Sequence, residues 1–338
     1  MNNERFFPVI NYLGNKRKIA SWILDNIPIS SGKFLDLFAG SCSVSYEAKK
    51  RGFQVYSNDI LYSNYVIAKA FIENPSIKIN KLDIIKFNSV KFDKYFYEKA
   101  SFLSNLLYHD VEVKELSGIL AFIEKQKGYK KFLFLSLLRR SMLRKIPYSR
   151  FNVPWKEIIK FRDEERNYSK YKRKRSYQNY TFRKLILDDF KSYNQSVFSN
   201  HKKNYSLNLD VYDVLKINKK YDVIYLDPPY PNTMNNYQKY YGAYDKLFNF
   251  EKKYTNFTKK NTFLNEMKKL IEICLKKSIY VVISVNNTSS VYFENFLNFI
   301  FKSFFYSKHE IKLNYQITGK INKNKNKECI FILSTLNI

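Results

Sequence analysis

Cysteine is nearly absent from this 338-residue chain: it has three, Cys42, Cys274 and Cys329, and no C-x-x-C pair. An odd count without that spacing argues against a disulfide framework or a zinc ribbon, and it fits a reducing compartment such as the cytoplasm. The three histidines, His109, His201 and His309, stand far apart and suggest no metal cluster. No apolar run approaches the roughly 20 residues of a membrane span. The opening residues Asn2, Asn3, Glu4 and Arg5 precede only a brief apolar patch, which predicts no secretory signal. No internal repeat is visible. Acid is also scarce: 30 Asp and Glu against 59 Lys and Arg leave a net charge of +29. That excess points to a polyanionic partner, nucleic acid before a membrane surface. An AT-rich coding sequence, which favours Lys, Asn, Ile, Tyr and Phe, would supply part of it with no partner at all.

Apolar side chains are plentiful, at 45% hydrophobic and 18% aromatic residues, enough for a sizeable core in one large domain or two. Residues 15–27 carry Ile19, Trp22, Ile23 and Ile27 at helical spacing, before Pro28 and Gly32. FLDLFAG (34–40) is a short buried-strand signal, SVSYEAKKRG (43–52) a helix, FQVYSND (53–59) a second strand and LYSNYVIAKAFIEN (61–74) another helix stopped by Pro75. Strand, glycine turn, helix, strand, helix is the βαβ pattern of an open parallel sheet. Residues 76–204 show helical patterns and no parallel-strand signal. The α/β pattern then returns, with strands predicted at 205–210, 221–227 and 278–287 and an amphipathic helix at 263–277. A closing antiparallel hairpin is predicted from 309–317 and 327–336. The simplest organisation is an α/β domain of residues 1–75 and 205–338, with 76–204 inserted.

Three stretches carry chemistry. In FLDLFAGSCSVSYEAKK (34–50) a strand runs into Asp36, a Phe-Ala-Gly turn and a helix, and Asp59 ends the following strand. Such a turn lets a ligand approach the backbone, and an acid at Asp59 can accept both hydroxyls of a ribose. Cys42 stands where the dehydrogenase fingerprint has a second glycine, and the stretch also reads as an ordinary βα turn. In NYLGNKRKI (11–19), Gly14 and Asn15 precede Lys16, Arg17 and Lys18 at the predicted helix start. A free helix N-terminus attracts a carboxylate; a solvated helix cap is the plainer reading. In YLDPPY (225–230) an apolar run ends in Asp227. Pro228 and Pro229 lack N–H groups and fix φ, so the Asp227 side chain and the Pro228 carbonyl become two acceptors facing one point. An exocyclic amine has two N–H donors to match, and Tyr230 offers a flat face on which a base can stack. The plainer reading is a strand-ending Asp-Pro turn.

In this order, NYLGNKRKI, FLDLFAG, YSNDI and YLDPPY make the chain resemble the α-class, Dam-like DNA adenine methyltransferases of restriction–modification systems. The resemblance covers residues 1–75 and about 205–338. It implies a Rossmann-like class I methyltransferase sheet, mostly parallel with a closing antiparallel hairpin, S-adenosylmethionine as cofactor, and a mainly helical target-recognition domain in the insert. Carried over by position, Tyr12 and Lys16 would touch the cofactor, and Asp36, Phe38, Ala39 and Gly40 would wall its methionine part. Asp59 would hold the ribose hydroxyls and Asp210 would meet the cofactor adenine. Asp227, Pro228, Pro229 and Tyr230 would form the catalytic pocket, with Asp227 also bordering the cofactor. The Pro-Cys nucleophile of cytosine-C5 enzymes is missing.

The family's partner is double-stranded DNA, from which the target adenine must be flipped, and a cognate restriction endonuclease acts beside it. Residues 139–184 are dense in Arg and Lys with tyrosines interleaved. Arg139, Arg140, Arg144, Arg150, Arg173 and Arg175 are the expected DNA contacts, through phosphates or guanine edges. A solvated basic face is the alternative, with Arg139, Arg140 and Arg144 complementing a helix C-terminus. The lysine-rich turn at 320–327 is a further expected phosphate contact. The stretch 231–245 reads as a mobile loop closing over the base, or as an ordinary surface loop. Methylation of cytosine N4 or of an RNA base shares the DPPY acceptor geometry. A catalytically silent DNA-binding subunit would instead show a damaged pocket.

Overall fold

A computed structural model of the chain describes residues 6–163, 179–229, 231, 237–250, 252–301, 303–311 and 328–336. The chain divides into two compact units. One comprises Tyr12–Ile60, Asn200–Asn236 and Lys252–Ile338; the other comprises Met1–Asn11, Leu61–Ser199 and Tyr237–Glu251.

The first unit holds a seven-stranded sheet. Its strands are β1 (Lys33–Asp36), β2 (Gln54–Asn58), β3 (Tyr205–Leu207), β4 (Tyr221–Leu226), β5 (Ser278–Asn286), β6 (Phe305–Glu310) and β7 (Glu328–Ser334). Their order is β3-β2-β1-β4-β5-β7-β6. The first five are parallel neighbours, and β7 lies antiparallel between β5 and β6. This is the sheet of a class I methyltransferase fold. Central strands covered on both faces must be apolar nearly throughout. β4 accordingly reads Tyr-Asp-Val-Ile-Tyr-Leu, with only Asp222 less than buried, and every residue of β7 is buried.

The helices of this unit are α1 (Ala20–Asp25), α2 (Ser43–Lys50), α10 (Val211–Lys216), α12 (Phe263–Lys277) and α13 (Asn287–Ile300). α12 buries Phe263, Met267, Leu270, Ile271, Cys274 and Leu275, one stripe at helical spacing, into the core cluster shared with Leu35, Ile224 and Val281.

The second unit is helical among its described residues: α3 (Tyr62–Ala68), α4 (Lys81–Asn88), α5 (Lys94–Ala100), α6 (Asp110–Glu124), α7 (Gly128–Arg144), α8 (Trp155–Asp163), α9 (Phe182–Ser196) and α11 (Tyr237–Leu247). Side-chain caps fix several starts: Asn80 and Asp83 form a capping box on α4, Asp93 caps α5 and Thr181 caps α9. Phe87, Phe122 and Phe134 pack ring against ring in its core.

Four details differ from the sequence expectations. Helix α1 starts at Ala20 rather than near residue 15, because Asn15 Oδ1 accepts the Arg17 N–H and holds a turn before it. Strand β6 runs at Phe305–Glu310 rather than 309–317, and residues 312–327, including the lysine-rich turn, lie outside the described residues. Of the stretch 231–245, expected as a mobile or an ordinary surface loop, the residues from Tyr237 on belong to helix α11: Tyr240, Tyr241, Tyr244 and Leu247 recur on one face and are buried. Residues 6–11, 61–75 and 237–250, grouped by sequence with the α/β segments, belong to the helical unit, and residues 200–204, grouped with the insert, belong to the sheet unit.

Candidate active site

The parallel strands β1, β2 and β4 all finish at one edge of the sheet, and each ends in or is followed at once by a polar residue. Asp36 ends β1, Asn58 ends β2 with Asp59 next, and Asp227 follows β4. Strand β7 runs the other way, so its first residue reaches that same edge. That residue is Glu328, opposite Asn286, the last residue of β5.

The turn after β1 is pinned from both sides. Ala39 N–H donates to the Asn58 carbonyl at 2.8 Å and Gly40 N–H to Asp59 Oδ2 at 2.8 Å. Gly40 has φ +51°, and a Cβ there would lie 2.8 Å from the Tyr12 ring, so only glycine fits against that tyrosine. Cys42 adopts φ 61° as the N-cap of α2, the left-handed conformation in which glycine is the default. The non-glycine residue at this turn thus takes up the glycine-like backbone. Phe38 meets Phe257 edge to face, with centroids 5.3 Å apart.

Asp36 is 1% exposed. Its Oδ2 accepts from Ser45 Oγ at 2.6 Å, while its Oδ1 is buried with no hydrogen-bond partner among the described residues. Burial pushes its carboxyl up to about 7, helped by the negative charges of Asp227 and Asp59 and opposed by the Ser45 hydroxyl. A buried carboxylate oxygen without a donor is costly. It fits a ligand that brings a cationic N–H group to this strand end. Asp59 is held toward the turn by Gly40. Asp210 caps α10 through Tyr212 N–H at 3.0 Å and accepts Thr255 N–H at 2.6 Å, so it fastens the segment around Thr255.

Asp227 pairs with Lys16, its Oδ1 lying 3.2 Å from Nζ. The same Nζ lies 2.9 Å from Glu328 Oε1. Ser284 Oγ donates to that Glu328 oxygen at 2.6 Å. Burial raises the Asp227 carboxyl to about 6, against the pull of Lys16 and with the push of Glu328. The residues the sequence singled out in this unit therefore gather along one strand edge: Tyr12, Lys16, Asp36, Phe38, Ala39, Gly40, Asp59, Asp210, Asp227, Pro228 and Pro229. Tyr230 lies outside the described residues. Lys16, expected at a helix N-terminus, instead precedes the helix and serves as a cation between two acids. Glu328 and Ser284 were missed. The available signal was an acid opening an otherwise apolar strand, the mirror of Asp227 closing β4.

A model of the D12 class N6 adenine-specific DNA methyltransferases matches residues 12–287. The chain belongs to that family. It is therefore a DNA methyltransferase that acts on the N6 amine of adenine and needs a methyl donor. Type II methyltransferase M2.HphI of Haemophilus parahaemolyticus is 39% identical over 348 residues, spanning 98% of this chain and 99% of that protein. Modification methylase StsI of Streptococcus sanguinis is 25% identical over 367 residues, 96% of this chain and 51% of that protein. Type II methyltransferase M.FokI of Planomicrobium okeanokoites is 41% identical over 68 residues, 20% of this chain and 10% of that protein. No helix among the described residues is long and apolar enough to cross a membrane.

The arginines expected on DNA fall differently. Arg139 is 1% exposed, with its guanidinium donating to the Asn11 carbonyl and Asn64 Oδ1 and lying over the Tyr241 ring. Arg140 and Arg144 both pair with Asp189, and Arg140 also holds the Val9 carbonyl and Asn11 Oδ1. These three hold the helical unit together rather than facing outward, because both flanks of α7 are packed. Arg150, half-buried, lies over the Tyr148 and Tyr240 rings. Arg173 and Arg175 lie outside the described residues.

Proposed function

We propose that the chain uses S-adenosylmethionine to methylate one adenine within a fixed duplex sequence, as the modification enzyme of a restriction–modification system. It would work in the cytoplasm, beside an endonuclease that cuts the unmodified site. The single observation that carries this reading is Asp227, held by Lys16 at the end of β4 immediately before two prolines. The type II relatives support the restriction–modification setting.

S-adenosylmethionine supplies an electrophilic methyl group when bound. Asp36, with its partnerless oxygen, would accept from the cofactor's ammonium group. Tyr12, Phe38, Ala39 and Gly40 would line its flank, Asp59 would accept the ribose hydroxyls, and Asp210 would border its adenine. Asp227 and the Pro228 carbonyl would accept the two N–H bonds of the target amine. That amine's lone pair is delocalised into the ring, and two acceptors favour a more tetrahedral nitrogen aimed at the methyl. Pro229 stiffens the elbow, and Tyr230 would stack on the flipped base. The catalysis is positioning and electrostatics. The helical unit and the basic stretch that follows α8 would read the target, with Arg150, Arg173 and Arg175 as the remaining candidate contacts.

The test supplies methyl-labelled S-adenosylmethionine with unmodified duplex DNA, single-stranded RNA or no acceptor, then separates the nucleosides. Label in N6-methyladenine from duplex DNA supports the reading. Label in N4-methylcytosine or in RNA, or none at all, overturns it.

A further inference from the structure

Lys16 carries one positive charge and faces two carboxylates, the half-buried Asp227 at 3.2 Å and the buried Glu328 at 2.9 Å. A pair formed by Lys16 and Asp227 alone would draw negative charge toward Oδ1 and weaken the carboxylate as an acceptor for the target amine. The third group changes this. Glu328 is 1% exposed and enters from β7, the antiparallel strand whose start shares the edge where β4 ends. Ser284, on β5, fixes it with a 2.6 Å hydrogen bond. Its other oxygen, Oε2, is buried and has no hydrogen-bond partner among the described residues. The core of a β-sheet does not hold an acid at such cost for packing alone.

Building on the proposed role of Asp227 as acceptor of the adenine amine, we infer that Glu328 is a positioning residue for methyl transfer: it shares Lys16 with Asp227 and so leaves the Asp227 carboxylate free to accept from the substrate. The charged and titratable groups around Asp227 are Lys16 before α1, Asp36 at the end of β1, Tyr225 within β4 and Glu328 on β7. Burial opposes ionisation of Asp227, Lys16 favours it and Glu328 opposes it. Removing the Glu328 charge therefore makes Asp227 ionise at lower pH, while binding Lys16 more tightly to it.

The test is Glu328→Gln, which keeps the shape and the acceptor for Lys16 and Ser284 but removes the charge. It is measured on the full chain with saturating S-adenosylmethionine and duplex DNA. The rate kcat should fall about tenfold, the size expected when an aligned group is loosened, with KM for DNA unchanged within about twofold. The acid limb of the kcat profile, expected near pH 6 in the unmodified protein from the raised Asp227 carboxyl, should move to lower pH by about one unit. A residue that only supported the fold would lower the melting temperature and leave that limb in place. Ser284→Ala, which frees Glu328 without removing it, should shift both quantities the same way by less. Unmoved kcat and acid limb in Glu328→Gln, or in Ser284→Ala if the first variant does not fold, overturn the inference. The unmodified protein and Asp227→Ala are run alongside. If the former fails to methylate adenine, or the latter still does, the reading of Asp227 falls first, which is distinct from failure of Glu328 alone.

Discussion

Asp36 illustrates how a single side chain links stability to function. Its carboxyl is pushed up to about 7 by burial, from an ordinary value of 3.8. A carboxyl raised in the folded state contributes stability that is complete below about pH 4 and is lost as pH rises through about 7. The protein without donor should therefore lose stability between those limits. Asp36→Asn should flatten that dependence and melt at a higher temperature at pH 8, while binding S-adenosylmethionine more weakly. Thermal unfolding at pH 5 and pH 8, with and without S-adenosylmethionine, checks both. The sequence placed Asp36, Asp59 and Asp227 at strand ends and Gly40 in the turn after β1, and the structure has them there. Glu328 was far less legible. An acid opening an apolar strand was its one local sign, and only the antiparallel direction of β7 brings it to Lys16.

At the scale of elements, α7 and α11 show where a reading by composition parts from packing. Arginine density along α7 suggested a face for DNA. Yet Arg140 donates to Asp189 at 2.7 Å, to the Val9 carbonyl at 2.7 Å and to Asn11 Oδ1 at 2.7 Å. Arg140→Ala strands those acceptors and should cost about 1–3 kcal/mol of stability. It should leave the DNA affinity of the folded protein unchanged, as urea unfolding and a DNA titration at low temperature will show. In α11 the polar and tyrosine-rich sequence hid a helix. Its buried face is built from Tyr240, Tyr241 and Tyr244, whose hydroxyls blur the apolar period, and the Tyr244 hydroxyl is satisfied inside by the Leu135 carbonyl at 2.8 Å. The same helix carries Asp245, which accepts the N–H groups of Tyr62 and Ser63 at 2.9 Å and so caps α3. That long-range cap explains why 61–68 and 237–247 belong to one unit, which no local pattern could reveal.

Across the whole molecule, the strand-and-helix alternation in the sequence was enough to call a mostly parallel sheet. The long helical stretch before β3 suggested a second body, and the chain does divide into two units, with other boundaries. What the alternation could not supply was the mixed membership of the units, since three separate stretches of chain build each. The net charge of +29 suits a polyanionic substrate, and membership of the D12 class makes that substrate DNA. The central claim is that Asp227, held by Lys16, is the acceptor on which methyl transfer depends. The most direct measurement is the single-turnover rate of adenine methylation by Asp227→Ala beside the unmodified protein, with S-adenosylmethionine affinity measured on the same samples. Transfer should be abolished while the cofactor still binds within a few-fold of its original strength; an Asp227→Ala protein that methylates adenine at the original rate would contradict the account.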